Sequence, residues 1–247
     1  CGRSPLAEGA KSPLPPSARE VAPQRRRERT FRQCPFPKIS AHTLFRQTLH
    51  TPTFYNRPER KHTMALILAS GSPRRRELMS LITPEYTVIT SELDETKIAA
   101  DSPAQLAKAL ATAKARAVAE ERPDDIVCGF DTVVECEGKV FGKPKDEADA
   151  VRMLHALSGR EHRVHTGVCI CCGRRAAATV ETTIVHFSPI DEADLLAYVR
   201  TPEPYDKAGA YAIQGHAALW CAGIEGCYYN IMGLPVHRTA QLLREFQ

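Results

Sequence analysis

Residues 65–76 read Ala65-Leu66-Ile67-Leu68-Ala69-Ser70-Gly71-Ser72-Pro73-Arg74-Arg75-Arg76. Ala65–Ser70 is a short apolar run of strand length. Ser72 offers an N-cap oxygen, and Pro73 suits a first helical position. Leu78, Leu81 and Ile82 then fall at helical spacing, which predicts a helix from about Pro73 to Ile82. A buried strand that turns through small residues into a helix is the opening unit of an α/β fold.

The pattern continues outward from that unit. Tyr86–Thr90 is β-branched and reads as a second strand. Ser91–Ala100 is polar and acidic. Ser102-Pro103-Ala104-Gln105 matches a capping box, and an Ala-rich helix follows to about Glu121. Ile126–Glu135 reads as a buried strand, with a hairpin turn at Cys136–Lys139. Asp146 is placed to cap a helix carrying Val151, Leu154 and Leu157, closed by Gly159. Two long β-rich stretches, Arg163–Cys172 and Ala176–Phe187, join at Gly173. Helices are expected over Asp191–Arg200 and Pro235–Phe246. Alternating strands and helices that give way to hairpins imply an α/β protein with a mixed sheet.

Residues 1–63 are a different kind of chain. They hold nine of the 18 prolines and carry 13 Lys and Arg against 4 Asp and Glu, a balance of +9. The rest of the 247 residues carries 20 basic against 25 acidic side chains, a balance of −5. With no apolar periodicity to offset its ordering entropy, the 1–63 segment is expected to be a disordered basic extension, with a folded domain over 64–247. Three readings of the extension stay open. Met64 is the first methionine and suits a natural initiator. The Arg-rich, acid-poor composition suits an organelle transit segment. It also suits a solvated tail for polyanions.

Composition narrows the class. Hydrophobic residues are 43% and charged residues 25%, ordinary for a globular protein. No apolar run approaches the ~18 residues that span a bilayer. The folded part is acidic, and the run Arg25–Arg29 lacks interleaved aromatics, which argues against a sequence-specific nucleic-acid reader. Nine scattered cysteines without a second pair at zinc-site spacing imply reduced thiols packed in or beside a sheet, and a cytoplasmic protein unless residues 1–63 direct it to an organelle.

Three motifs point to chemistry on physical grounds. In Ser70–Arg76, a small-residue turn opens a helix whose free N–H groups favour an anion. Arg74 and Arg75 add planar donors suited to phosphate, although arginines in a first turn oppose the helix dipole. In Gly129-Phe130-Asp131-Thr132-Val133-Val134, a carboxylate ends an apolar strand, where it could hold a metal, activate water or cap the following turn. In Gly142-Lys143-Pro144, Lys143 is either a phosphate contact or a solvated turn lysine. Three further stretches, Ser158–Gly167, Tyr205–Gly215 and Tyr228–Pro235, mix glycine with polar residues between apolar runs.

Taken in order, Leu-Ala-Ser-Gly-Ser-Pro-Arg-Arg, Asp-Thr-Val-Val, Gly-Lys-Pro, Ser-Gly-x-x-His-x-Val-x-Thr-Gly, Tyr-x-Lys-Ala-Gly-x-Tyr-x-Ile-Gln-Gly and Asn-Ile-Met-Gly-Leu-Pro resemble the motifs of the Maf family of nucleotide pyrophosphatases, spread over Leu66 to Leu243. The resemblance implies two lobes around an elongated mixed β-sheet flanked by helices, similar to the inosine-triphosphate pyrophosphatases, with a cleft between the lobes. It implies hydrolysis of a nucleoside triphosphate between the α and β phosphorus atoms with a divalent metal, Mg²⁺ or Mn²⁺. The family's proton-accepting aspartate falls on Asp131, and its phosphate-binding positions match Arg74, Arg75, Lys114, Lys143 and Lys207, with Ser70 and Ser72 in the same turn. Glu95 is the expected second metal carboxylate, ahead of Asp94 or Glu92. Arg74, Thr132 and Gln214 match the members acting on dTTP and UTP rather than 7-methyl-GTP. Phe130 departs from the commoner Ala before the aspartate, and residues 1–63 have no counterpart in the family. The resemblance is compatible with a homodimer.

Overall fold

The computed structural model describes residues 64–246. The expected disorder of the basic extension lies outside the described residues.

Among the described residues, seven strands form one mixed sheet: β1 (Leu66–Ala69), β2 (Thr87–Val88), β3 (Ile126–Cys136), β4 (Lys139–Phe141), β5 (Glu161–Cys172), β6 (Arg175–Phe187) and β7 (Cys221–Glu225). The order is β2-β1-β3-β5-β6-β7, with β4 paired to β3. β1 runs parallel to β2 and β3, and the remaining pairs are antiparallel. The helices are α1 (Pro73–Ser80), α2 (Pro103–Glu121), α3 (Glu147–Leu157), α4 (Glu192–Val199), α5 (Tyr228–Met232) and α6 (Val236–Leu243).

The predicted caps form. The Ser102 Oγ accepts from the Gln105 N–H at 3.2 Å, and the Asp146 Oδ1 from the Asp149 N–H at 2.8 Å. Gly159, with φ of 68°, follows the end of α3. Some expected elements are shorter. Only Thr87 and Val88 of the second strand pair with β1, and the last helix stops at Leu243. β7 and α5 did not emerge from the sequence. β7 is five residues with a central glycine, and α5 is five residues, too short for either to show a period.

Alternation along β3 divides the core. Ile126, Cys128, Phe130, Val134 and Cys136 face a large apolar cluster with Leu78 of α1, Leu154 of α3, Leu195 of α4 and Leu243 of α6. Val127 faces a smaller cluster built on Ala111, Ala115, Val118 and Ala119 of α2. α2 is Ala-rich because it lies directly on the sheet. A Cβ at Gly129 would overlap the Ala111 carbonyl, and one at Gly167 would overlap the Ala107 carbonyl. Backbone therefore meets backbone at both places.

One edge of β3 is interrupted. β1 pairs with Ile126–Gly129 and β4 with Val134–Cys136. Between them, residues 130–133 have a strand partner only on the β5 side, from Phe130↔Val168 to Val133↔His165. The chain leaves β1 at this notch and turns into α1. Changes of strand direction leave crevices at strand ends, where α/β sheets bind ligands.

Candidate active site

A cleft of about 1090 Å³ opens at the notch. Eleven residues singled out from the sequence line it: Ser70, Ser72, Arg74, Arg75, Glu95, Lys114, Asp131, Thr132, Lys143, Lys207 and Gln214; the alternatives Asp94 and Glu92 do not.

Asp131 sits in the stretch of β3 that is paired only with β5, and its side chain points to the α2 side. It is 8% exposed. Lys114 of α2 meets it, with Nζ 2.6 Å from Oδ1. The same ammonium lies 2.9 Å from Oε1 of Glu95. Glu95 opens a 3₁₀ turn, Glu95–Lys97, that Asp94 caps by accepting from the Thr96 N–H at 3.2 Å. Asp94 also pairs with Lys97 at 3.0 Å. The neighbouring acids thus divide the work: Asp94 shapes the turn and Glu95 faces the cleft. Burial pushes the Asp131 carboxyl above its ordinary range, with the charges of Lys114 and Arg75 opposing.

Arg74 and Arg75 separate completely. Arg75 turns inward, where its Nε donates to the Gly233 carbonyl at 2.8 Å, Nη1 to Ser70 Oγ at 3.2 Å and Nη2 to Thr132 Oγ1 at 3.1 Å. These partners are all neutral. Burial pulls its guanidinium below its ordinary value while Asp131 opposes the shift; an arginine keeps its charge regardless. Arg74 instead reaches across to Asp206, with Nη1 3.0 Å from Oδ2. Lys207 also holds the Asp206 carboxylate, and its Nζ donates to the Glu203 carbonyl at 2.8 Å. Burial alone would raise the Asp206 carboxyl, but the bonds from Lys207 and Arg74 outweigh it and hold the group below its usual range. Lys143 stands in the turn after β4, whose Gly142 carbonyl accepts from the Gly209 N–H at 3.0 Å.

Five cations and three carboxylates therefore line the cleft. Arg75 and Lys143 make no ion pair among the described residues. Such a surplus of positive charge in a concave site attracts a polyanion.

Thr132 belongs to a relay. Its Oγ1 is 3.0 Å from Thr166 Oγ1, which donates to the Asn230 carbonyl at 2.9 Å. A carbonyl only accepts, so the Thr166 proton points to Asn230 and the Thr132 proton to Thr166. Thr132 Oγ1 then accepts from Arg75. Asn230 is fully buried, and its Nδ2 donates to Val164 O and Thr183 Oγ1, both at 2.9 Å. The sequence reading assigned no role to Asp206, Thr166 or Asn230, although all three stand inside motifs quoted for the resemblance.

The convergence of two carboxylate oxygens on one cation fits a hard divalent ion, which commonly takes one or two protein carboxylates and fills its shell with phosphate and water oxygens. Among the described residues, no group of three or more His, Cys, Asp or Glu side chains is placed to hold a metal. The described cysteines are all free. No described helix is long and apolar enough to cross a membrane.

The family model for the Maf-like proteins matches residues 65–246, nearly all of the described chain. The chain belongs to the Maf family. Among curated Maf relatives, the dTTP/UTP pyrophosphatase of Symbiobacterium thermophilum is 50% identical over 181 residues, covering 73% of this chain and 93% of the relative. The dTTP/UTP pyrophosphatase of Koribacter versatilis is 46% identical, covering 73% of this chain and 94% of its own. That of Bacillus cytotoxicus is 45% identical, with the same coverage. Among solved structures, the Ham1 protein of Staphylococcus aureus aligns at a TM-score of 0.43 and 14% identity over 74% of this chain and 100% of its own. The mixed α/β architecture of this Maf chain stands on its own sheet order.

Proposed function

We propose that this chain hydrolyses dTTP and UTP to the nucleoside monophosphate and pyrophosphate, with Asp131 as general base. The observation that carries the reading is the placement of Asp131: a nearly buried carboxylate at a one-sided stretch of β3, in a cleft with an excess of cations.

A nucleoside triphosphate brings about four negative charges, and its hydrolysis depends on neutralisation and positioning more than on covalent chemistry. Asp131 and Glu95 would hold the Mg²⁺ or Mn²⁺, whose contribution is to neutralise phosphate oxygens. Asp131 orients water and takes its proton as the oxygen attacks the α-phosphorus. Its raised pKa brings it closer to working pH and makes it a better base. The bond to the β-phosphate oxygen breaks, and pyrophosphate leaves. Arg75 is the preorganised cation, held at three points before substrate arrives. Lys143, Lys207 and Arg74 surround the departing group.

The pyrimidine preference rests on Gln214 and on the similarity to dTTP/UTP pyrophosphatases. The Gln214 amide is exposed at the cleft and carries a donor and an acceptor in one plane, complementary to the N–H and C=O edge of uracil or thymine. Thr132 supports this indirectly, because its hydroxyl is committed to Arg75 and Thr166.

The test is pyrophosphate release by the purified chain from a panel of nucleoside triphosphates with Mg²⁺ or Mn²⁺. Turnover of dTTP and UTP with little from 7-methyl-GTP or ATP is the expected result. Tight nucleotide binding without release would instead identify a non-catalytic nucleotide-binding regulator.

A further inference from the structure

We infer that Glu203 is a positioning residue for nucleobase selection, through the turn that carries Gln214. The inference rests on the reading of Gln214 as the group that meets the base.

Glu203 opens the 3₁₀ segment Glu203–Asp206 and does not line the cleft. Its carboxylate lies behind the Gln214 turn. The His216 N–H donates to both oxygens, at 3.1 Å to Oε1 and 3.2 Å to Oε2. The Tyr198 hydroxyl donates to Oε1 at 3.0 Å, and Tyr198 is 2% exposed. The Tyr198 ring also stacks against the His216 ring, with centroids 6.2 Å apart and planes at 19°. The carboxylate is thus anchored from the core and grips the backbone two residues beyond Gln214.

Gly215 closes the fit. A Cβ there would overlap Oε1, Cδ and Oε2 of Glu203. Its φ of −107° is open to any residue, so the glycine is required by the carboxylate and not by the backbone. The main chain of the same glutamate serves the other end of the site, since the Lys207 ammonium donates to its carbonyl at 2.8 Å. One residue therefore sets the spacing between a phosphate-side cation and the amide that meets the base.

An exposed glutamine on a turn has many conformers, and discrimination between bases needs the amide plane fixed. UTP and CTP differ in the donor and acceptor order along that edge, so their ratio of kcat/KM reads the orientation of Gln214. Glu203→Ala is expected to lower the UTP preference over CTP about tenfold and to raise KM for UTP about tenfold, with kcat within about twofold. Glu203→Gln keeps an oxygen that accepts from His216 N–H and restores most of the preference. Gly215→Ala pushes the carboxylate away and reproduces the Glu203→Ala defect, and the double variant is no worse than either single one. Should Glu203→Ala fail to fold, Gly215→Ala carries the same comparison. A wild-type chain that turns over UTP and CTP equally overturns the role of Gln214 and this inference together. A wild-type preference that survives Glu203→Ala or Gly215→Ala overturns the inference alone.

Discussion

The Lys114 ammonium lies 2.6 Å from Oδ1 of Asp131, and the two residues come from elements that a backbone contact presses together. Burial raises the Asp131 carboxyl and the Lys114 charge opposes that rise, a balance suited to a group that takes a proton from water. Asp131→Asn keeps the size and removes the basicity. The steady-state rate of pyrophosphate release is expected to fall on the order of 10²-fold or more. Near-normal turnover would remove Asp131 from the mechanism.

The adjacent arginines should respond differently to the same change. Arg75→Lys loses the fork that reaches Ser70, Thr132 and Gly233 at once. A bond to a charged group contributes about 1.5–3 kcal/mol, so kcat/KM should drop about tenfold or more. Arg74→Lys can still pair with the half-exposed Asp206 and should lose less. Equal losses would contradict the division of roles.

Much of this was legible before the fold was known, and the limits have physical causes. Asp131 stood out because a charged residue inside the apolar run 126–134 has to be explained. The phosphate turn stood out because Ser72 and Pro73 are local signals for a helix start. The difference between Arg74 and Arg75 was not legible. It depends on Asp206 and Gly233, which lie 132 and 158 residues away in sequence. Glu95 comes ahead of Asp94 and Glu92 only through the resemblance, because any of them suits an acidic loop; the fold adds that Asp94 caps the turn while Glu95 lines the cleft. β7 escaped because five residues around a central glycine are too few to show an alternation.

The seating of α2 gives a stability prediction. Gly167→Ala places a methyl group into the Ala107 backbone, and the helix has to lift. Overpacking of this kind costs about 1–3 kcal/mol, measurable by urea unfolding. Gly223→Ala meets nothing within 4 Å and should stay within about 0.5 kcal/mol of the parent. Because Lys114 rides on α2, Gly167→Ala should also slow turnover. A fully stable, fully active Gly167→Ala chain would mean that the contact has slack.

His162 predicts how stability follows pH. Its ring is 1% exposed, packs edge-on against Phe187 and Tyr211, and has Nε2 2.8 Å from the Tyr211 hydroxyl. Burial lowers its pKa from 6.5 to about 4. The folded state therefore resists a proton that the unfolded chain accepts. Its contribution is fully present above pH 6.5 and is lost as pH falls towards 4, by at most about 3 kcal/mol. Denaturant unfolding between those pH values should show a steeper decline for the parent than for His162→Phe. Parallel curves would refute the assignment.

The interruption in β3 has a last consequence, for solubility. Unpaired strand edges recruit other chains and seed aggregates, so proteins blunt or cover them. Here the one-sided segment lies between β1 and β4, in the interior of the sheet. An extended foreign strand would run into β1 at one end of that gap and β4 at the other. The protein can thus leave this stretch of β3 with a strand on one side only, beside Asp131, without offering neighbouring molecules a template for association.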